Sequence, residues 1–412
     1  MVAQDRGAVS ADWGSKRDQQ QAGLITLLSL SWRGRSRARG RARRGKARSG
    51  RVVAVLPAHN EAQSLPSTLR SLWSQTHPPD QIVVASDNSS DNTDDLGITH
   101  GAQVVVTVEN TTRKAGALNQ ALRYVLPQLR DRDYVLIMDA DSRLKGDWIA
   151  HAVRAMRDDR RLGGVCGTYE GEEGSGLLRQ LQRNEYARGA RLVRRRAELW
   201  VLSGAGTLFR VSALRAIASE RGFYLPGTPG DYYSGESITE DYEITLALKT
   251  LGYRCLAAPG CIAVTELMPT VRDLSRQRIR WQTGTLATLR RYGLTRITWT
   301  NWLRQVFFYG VYLVGMASWG LIAWLFALHP GIDLPRWVLG ALIVTYLERL
   351  ITVRKAGWKG IILAALLVPE WCYGMLEGFY LFKALVHDIA RRDVSWGHLA
   401  ANRTGFAAQS GG

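Results

Sequence analysis

Apolar runs alternate with amphipathic stretches along the chain from about residue 51 onward. Short apolar runs predict four buried strands, at residues 52–56, 82–85, 104–108 and 134–138. Between them, Leu65, Leu69 and Leu72 recur at helical spacing, and residues 115–126 predict another helix. Strands that take turns with helices indicate an α/β fold with a mostly parallel sheet flanked by helices, whose ligands bind beyond the carboxyl ends of the strands.

The pattern becomes strongly apolar after about residue 300. Residues 306–328 carry no charged side chain, and as a helix rising about 1.5 Å per residue they reach about 35 Å, enough to span a bilayer. Two weaker apolar segments, 337–352 and 360–386, contain charged residues. We therefore expect a membrane domain over residues 296–390 with two or three transmembrane segments.

Basic residues set the expected orientation of these segments. Arg349, Arg354, Lys355 and Lys359 cluster between the second and third segments. By the positive-inside rule this loop lies in the cytoplasm, together with the N-terminal domain and the tail 391–412, so we expect a multi-pass cell-membrane protein. A third full span fits this orientation only if it is re-entrant or broken near Pro369. The four cysteines form neither a CxxC pair nor a metal-knuckle pattern, which fits a reducing compartment.

Much of the charge lies in one segment. Lys and Arg total 54 against 36 Asp and Glu, a formal net charge of +18, and ten basic residues but no acid lie within residues 33–51. Residues 1–50 are too polar to order themselves, so we expect a disordered basic arm. The arm allows another class of protein, an anionic-lipid or nucleic-acid binder. Because no aromatic residue interleaves the arginines, we favour anionic lipid and do not expect nucleic acid as a partner. A misassigned translation start is a further explanation.

Two carboxylates follow the fourth predicted strand. Asp139 and Asp141, separated by one alanine, come directly after residues 134–138. Oxygen ligands of this kind suit Mg²⁺ or Mn²⁺ holding a diphosphate. The alternative is a solvated turn or a helix cap.

Polar turns also follow the first two predicted strands. Asn60 and Glu61 follow one, and Asp87 opens a polar run that includes Ser90 after the other. Both turns suit the hydroxyls and base edge of a nucleoside. The alternative is that Asn60 or Ser90 caps the following helix.

Three later segments carry candidate chemistry. Residues 112–116 open a helix with Arg113 and Lys114, which suits phosphate oxygens but is also compatible with a solvated basic turn. Residues 239–241, Thr-Glu-Asp, precede an apolar helical stretch and could cap it as well as act chemically. Residues 277–281, Gln-Arg-Ile-Arg-Trp, also suit an interfacial helix with snorkelling arginines.

Taken in order, these motifs resemble those of the family 2 glycosyltransferases, especially the membrane-bound branch with poly-N-acetylglucosamine, chitin, hyaluronan and cellulose synthases. The resemblance covers roughly residues 51–290. It is carried by PAHNE at 57–61, SDNSSDNT at 86–93, RKAGALN at 113–119, DAD at 139–141 with SGAGTLFR at 203–210, and TEDYEITLALKTLGY at 239–253 with QRIRW at 277–281. It implies a GT-A nucleotide-sugar-binding domain over residues 51–295, followed by the membrane segments.

On the donor side, the resemblance implies a role for each matching position. Glu61 and Asp87 resemble the contacts to uridine and ribose, and Lys114 resembles a diphosphate contact. Asp139 and Asp141 resemble the flank and the ligand of a Mg²⁺ or Mn²⁺ ion. The implied donor is a UDP-sugar, with N-acetylglucosamine or a similar hexose as the sugar.

On the acceptor side, Asp241 resembles the general base of the family, with Glu240 beside it as a substrate contact. Gln277, Arg280 and Trp281 resemble the motif that lines the acceptor site. The implied reaction is an inverting transfer that forms a β-linkage to a glycan, lipid or protein acceptor.

The chain departs from the large processive synthases in its membrane segments, because two or three C-terminal helices are too few to enclose a polymer channel. Polymer export would therefore need a homo-oligomer or a membrane partner. Glu370 and Glu377, seven residues apart on one helix face, are a possible intramembrane functional pair. The alternative is that they pair with Arg349 or Lys383.

Overall fold

The structure is a computed structural model that describes residues 50–194, 199–329 and 336–390. Everything below concerns those ranges. The predicted basic arm, residues 1–50, lies outside them apart from its last residue. The predicted tail, residues 391–412, lies entirely outside them.

Eight strands form one mixed sheet in the order β3-β2-β1-β4-β7-β6-β8-β5. The strands are β1 Val52–Ala58, β2 Gln81–Ser86, β3 Gln103–Val106, β4 Tyr134–Ile137, β5 Arg143–Leu144, β6 Leu162–Gly171, β7 Thr207–Arg210 and β8 Arg254–Thr265. The first four pair in parallel, as predicted. β7, by contrast, runs antiparallel to both β4 and β6. β6 pairs in parallel with β8, whereas β5 pairs antiparallel with β8. The prediction of a mostly parallel sheet is therefore correct for four of the seven strand pairings described, and it missed the antiparallel pairings of the short β7, which has no distinct apolar run.

Helices cover the sheet and continue beyond it. They are α1 Leu65–Trp73, α2 Thr93–Thr99, α3 Arg113–Val125, α4 Trp148–Asp158, α5 Leu177–Arg194, α6 Val211–Glu220, α7 Glu240–Thr250, α8 Val271–Tyr292, α9 Trp299–Leu328, α10 Arg336–Thr352, α11 Trp358–Leu366 and α12 Val368–Ile389. α1 buries Leu65, Leu69 and Leu72, as their spacing predicted. The predicted helix over residues 115–126 corresponds to α3.

Side chains of β1 alternate between two apolar cores, one on each face of the sheet. Val53 and Val55 join the core beneath α3, α6 and α7. Val52, Ala54 and Leu56 join the core beneath α1 and α4. Burial on both faces explains why the strand reads as a continuous apolar run in the sequence. It also fixes the register, since a shift by one residue would exchange the two sets.

The C-terminal helices pack on the sheet domain through α8. Leu274 and Ile279 of α8 bury against Tyr373, Tyr380 and Ala384 of α12. α11 and α12 meet at an angle of 82°. The break comes at Leu367, whose φ of 59° is left-handed, two residues before Pro369, which the sequence analysis named as a possible break.

The helices of the described residues differ in whether their length and composition suit a bilayer. Among them no single helix is long and apolar enough to cross a bilayer, whereas the bent pair of α11 and α12 has the length and composition for a broken span or a re-entrant loop. The predicted span 306–328 lies within α9 and stays a prediction.

Glu370 is a buried structural carboxylate that joins three helices. It pairs with Arg188 of α5 at 2.8 Å and with Arg349 of α10 at 3.2 Å, and the Asn184 amide donates a hydrogen bond to it at 2.7 Å. The pairing with Arg349 that the sequence left open is therefore observed. Removing one partner of such a buried pair typically costs about 3–5 kcal/mol, so the cluster holds the C-terminal helices on the domain.

Candidate active site

A cleft of about 900 Å³ opens at the carboxyl ends of β1, β2 and β4. This is the position that the doubly wound half of the sheet predicts for a ligand. All ten residues that the sequence analysis selected line it: Glu61, Asp87, Lys114, Asp139, Asp141, Glu240, Asp241, Gln277, Arg280 and Trp281.

Asp87, which lines the cleft directly after β2, is oriented by its neighbours. Its Oδ1 accepts hydrogen bonds from Thr107 Oγ1 at 2.7 Å and from Asn110 Nδ2 at 2.8 Å. Two donors of this kind hold a half-buried carboxylate in one rotamer. Asp87 therefore stands ready to accept further hydrogen bonds from a ligand.

The two polar turns after β1 and β2 brace each other and do not cap helices. Asn60 adopts a left-handed backbone with φ of 54°, and its Oδ1 accepts from the Ser90 amide at 2.7 Å. Ser64 and Asn92 occupy the N-cap positions of α1 and α2. The capping alternative is therefore wrong for Asn60 and Ser90. The backbone of Glu61 is held by the second turn as well, because its amide donates a hydrogen bond to Thr93 Oγ1 at 2.9 Å.

Lys114, in the first turn of α3, reaches into the acidic centre of the cleft. Its Nζ lies 2.7 Å from Asp139 Oδ1. Burial would lower the pKa of Lys114, but the carboxylates of Asp139, Asp241 and Glu240 outweigh that effect and raise it well above its ordinary value. The ammonium therefore stays charged and offsets part of the repulsion among the acids.

Asp141 lies among other acids. Burial, followed by the charges of Asp139, Glu61 and Glu266, raises the pKa of Asp141 to about 8, although Ser142 Oγ donates to its Oδ1 at 3.2 Å. A carboxylate in such surroundings gains most from a nearby cation, and oxygen donors suit Mg²⁺ or Mn²⁺. The donor set thus fits a divalent ion.

The described residues include no group of three or more His, Cys, Asp or Glu placed to hold a metal ion. The metal roles of Asp139 and Asp141 therefore stay predictions.

Asp241 and Asp139 converge on Gly204. A Cβ atom added at Gly204 would lie 2.5 Å from Asp241 Oδ2 and 2.8 Å from Asp139 Oδ2. The Asp139 amide donates to the Gly204 carbonyl at 2.9 Å, which anchors the glycine segment beside the strand end. Gly204 lies in the SGAGTLFR motif, but no pattern in the sequence distinguishes it from the other glycines.

Burial is the main cause that raises the pKa of Asp241, to about 6. The carboxylates of Asp139 and Glu240 add to the rise, whereas Lys114 and Arg280 oppose it. A carboxyl group with a pKa near neutrality accepts a proton more readily than an ordinary aspartate, while remaining largely ionised at pH 7.

A buried ion pair that the sequence analysis missed fixes the helix that carries Asp241. The Arg221 guanidinium bonds both carboxylate oxygens of Glu243, at 2.5 and 2.8 Å, and the Tyr292 hydroxyl donates to Glu243 at 2.6 Å. Arg221 is fully buried. No spacing in the sequence links these three residues, because they come from α7, the end of α6 and the end of α8. Only the folded chain shows that they orient Asp241.

α8 brings the acceptor-motif residues against the start of α7. A Cβ atom added at Gly284 would lie 2.4 Å from Thr239 Cγ2, so the glycine permits a close approach of the two helices. Arg280 Nη1 donates to the Ile238 carbonyl at 3.3 Å. Arg280 and Trp281 line the cleft. The alternative of an interfacial helix with snorkelling arginines stays a prediction.

The cleft gathers carboxylates and a lysine around a strand-end Asp-Ala-Asp turn, with a further acid, Asp241, facing the turn. The model of the glycosyl transferase family 2 matches residues 53–218 of this chain. The chain carries a family 2 glycosyltransferase domain over that range.

Relatives of known sequence support the same family. Poly-beta-1,6-N-acetyl-D-glucosamine synthase of Staphylococcus aureus (strain COL) is 27% identical over 240 residues, which are 57% of this chain and 54% of the relative. The synthase of the same name from Staphylococcus epidermidis (strain RP62A) is 27% identical over 238 residues, 56% of this chain and 53% of the relative. The chain thus matches about half the length of these relatives.

A solved structure shares the fold. The mannosyltransferase PcManGT from Pyrobaculum calidifontis, in complex with GDP-Man and Mn²⁺, superposes with a TM-score of 0.55 at 19% identity, over 83% of this chain and 88% of that one. The mixed α/β fold of GT-A type expected from the sequence is therefore confirmed.

We predict that Gly204→Ala lowers the rate of sugar transfer about 100-fold, because the added methyl displaces Asp241 or Asp139 and misplacements of about 1 Å can cost that much. Steady-state transfer rates and thermal unfolding would be measured together. Gly146→Ala is the matched control, since a Cβ there meets nothing within 4 Å. Transfer by Gly204→Ala within twofold of the control would contradict the convergence of the two acids.

Proposed function

We propose that this chain is an inverting, metal-dependent glycosyltransferase that moves N-acetylglucosamine or a similar hexose from a UDP-sugar to an acceptor hydroxyl. The observation that carries the proposal is the convergence of Asp241 and Asp139 on Gly204. It holds a helix-borne carboxylate beside the turn expected to bind the donor diphosphate. A base is thereby close to the reacting centre.

Asp241 acts as the general base in this proposal. Its carboxylate takes the proton of an acceptor hydroxyl as the oxygen attacks the anomeric carbon, and the bond from that carbon to the diphosphate oxygen breaks. One displacement inverts the anomeric centre, so an α-linked donor yields a β-linkage. The oxygen of the leaving diphosphate develops negative charge, which the cations Lys114 and Arg280, both near Asp241, would stabilise.

Asp139 and Asp141 would hold the divalent cation. When bound, Mg²⁺ or Mn²⁺ supplies positive charge that offsets the charge of the diphosphate. The cluster of acids that raises the pKa of Asp141 supports this assignment. The complex of the P. calidifontis mannosyltransferase with Mn²⁺ also supports it. Lys114, now paired with Asp139, would then be available to a phosphate oxygen.

The choice of donor rests on the relatives. The staphylococcal proteins are named as synthases of poly-beta-1,6-N-acetyl-D-glucosamine, and we extend N-acetylglucosamine to this chain as its sugar. Glu61 and Asp87 would contact the uridine and its ribose. The acceptor is a glycan, lipid or protein, and processive synthesis would need a homo-oligomer or a membrane partner.

We further propose that the C-terminal helices attach the enzyme to the cytoplasmic face of the cell membrane. Val306, Phe307 and Val314 of α9 are 67%, 68% and 66% exposed, which indicates an apolar surface that a bilayer would cover. The bent pair of α11 and α12 supports the same attachment. The cluster of Arg354, Lys355 and Lys359 sets the cytoplasmic orientation.

We predict that Asp241→Asn lowers transfer from UDP-N-acetylglucosamine about 100- to 10,000-fold, since general-base catalysis contributes on the order of 10²–10⁴ and the amide cannot accept the proton. UDP binding, measured by titration calorimetry, should stay within about threefold. Asp158→Asn is the control, because Asp158 is exposed and does not line the cleft. Substantial transfer by Asp241→Asn would place the base elsewhere.

Removal of divalent cations should abolish transfer by the lipid-reconstituted protein, and added Mg²⁺ or Mn²⁺ should restore it, because Asp139 and Asp141 cannot themselves neutralise the diphosphate. Release of UDP after exhaustive dialysis against EDTA measures the effect, with circular dichroism as the check that the fold persists. Turnover that is unchanged by the chelator would remove the metal from the proposal.

A further inference from the structure

A polar cluster lies at the far end of the cleft, where α5, α8 and α12 meet. Arg278 of α8 is at its centre, with Nη2 at 2.6 Å from Glu185 Oε2 and Nε at 3.2 Å from Glu377 Oε1. The Tyr373 hydroxyl donates to the same Glu185 oxygen at 2.6 Å. The guanidinium side chain is only 10% exposed, so three elements hold it in one place.

The same guanidinium packs on the acceptor-motif tryptophan. Arg278 Cζ lies 4.9 Å from the centre of the Trp281 ring, one turn farther along α8. Burial would lower the pKa of Arg278, but Glu185 and Glu377 raise it well above its ordinary value, so the group stays charged. A charged, planar guanidinium over an indole face is a directional contact that limits how the ring can turn.

α12 therefore contributes to the wall of the cleft. The wall includes Glu377 of α12, Tyr312 of α9 and Trp281 of α8. The Tyr312 ring rests on Gly378, where an added Cβ would lie 2.8 Å from Tyr312 Cδ1. A displacement of α12 would move the carboxylate that holds Arg278 and the surface that supports Tyr312 at the same time.

We propose that Arg278 is a positioning residue that couples the C-terminal helices to acceptor binding by fixing the orientation of Trp281. The inference rests on the proposed function, because it takes Trp281 as an acceptor contact. Arg278 itself transfers no proton and contacts no reacting atom. Glu377 holds it from α12 and Glu185 holds it from α5, so the acceptor end of the cleft is complete only when the C-terminal helices are docked.

A second ion pair between the same two helices supplies the control. Arg290 of α8 bonds Asp388 of α12 with Nη2 at 2.6 Å from Oδ1. Neither residue lines the cleft. Loss of this pair weakens the link between α8 and α12 but leaves Trp281 untouched. Two matched comparisons therefore separate the positioning of Trp281 from simple tethering of the helices. One compares Arg278→Gln with Arg290→Gln, and the other compares Glu377→Gln with Asp388→Asn.

The test uses the full chain reconstituted in lipid, with UDP-N-acetylglucosamine as donor and a β-1,6-linked N-acetylglucosamine oligosaccharide as acceptor. UDP release is measured without and with the oligosaccharide. Arg278→Gln should raise the KM for the oligosaccharide about tenfold while donor hydrolysis and donor KM stay within about twofold. Arg290→Gln should change neither. Equal increases in the two variants, or a parallel loss of hydrolysis and transfer in Arg278→Gln, would overturn the inference.

Two further arms keep the inference testable. If Arg278→Gln does not fold, Glu377→Gln should raise the acceptor KM severalfold and Asp388→Asn should not, and equality between them would overturn it. Hydrogen–deuterium exchange over residues 277–284 needs no acceptor: exchange should rise in Glu377→Gln but not in Asp388→Asn, and unchanged exchange would count against positioning. If the wild-type chain released no UDP, the proposed function would be contradicted, whereas the exchange measurement would still test whether α12 positions Trp281 through Arg278.

Discussion

The mutual repulsion of carboxylates in one half-buried cleft is the constraint on which the rest of the site depends. At an effective dielectric constant of about 20, two like charges about 4 Å apart repel by about 4 kcal/mol, and Asp139, Asp141, Glu240 and Asp241 gather around one turn. Lys114 at 2.7 Å from Asp139 offsets part of this repulsion, and Arg280 contributes from the other side. The remaining excess of negative charge favours a cation.

The scaffold resists this repulsion with contacts outside the cleft. Arg221, Glu243 and Tyr292 lock α7, and the Asp139 amide bonded to Gly204 locks the strand end. Gly204 then allows the two acids to come together where any side chain would part them. Stability and function thus draw on different residues, as is usual for pre-organised sites.

The sequence predicted the parallel half of the sheet, because strands buried on both faces appear as continuous apolar runs. Strand ends and helix starts pointed to seven of the ten selected residues that line the cleft, whereas Gln277, Arg280 and Trp281, which lie within α8, were selected only through the resemblance to the family 2 glycosyltransferases. The sequence did not predict β7, whose four residues leave no distinct pattern. It also missed Arg221 and the placement of Arg278, because their partners lie far away in sequence, in other helices, and the pairing exists only in three dimensions.

Glu370 and Glu377 show how the fold resolves an ambiguity that the sequence left open. The sequence left them either as an intramembrane functional pair or as partners of Arg349 or Lys383. In the fold each has an arginine partner: Arg188 and Arg349 for Glu370, and Arg278 for Glu377. The ion pairs of Glu370 hold helices together, whereas Glu377 and its partner Arg278 line the cleft. The same residue type on one helix face therefore serves two different purposes.

Product stereochemistry tests the central claim most directly. The lipid-reconstituted protein would be incubated with UDP-α-N-acetylglucosamine, Mg²⁺ and an N-acetylglucosamine oligosaccharide, and the anomeric protons of the isolated product would be examined by NMR. In-line attack assisted by Asp241 predicts a new β-linkage. A new α-linkage would contradict a single displacement, and with it the role of Asp241 as the base beside the donor turn.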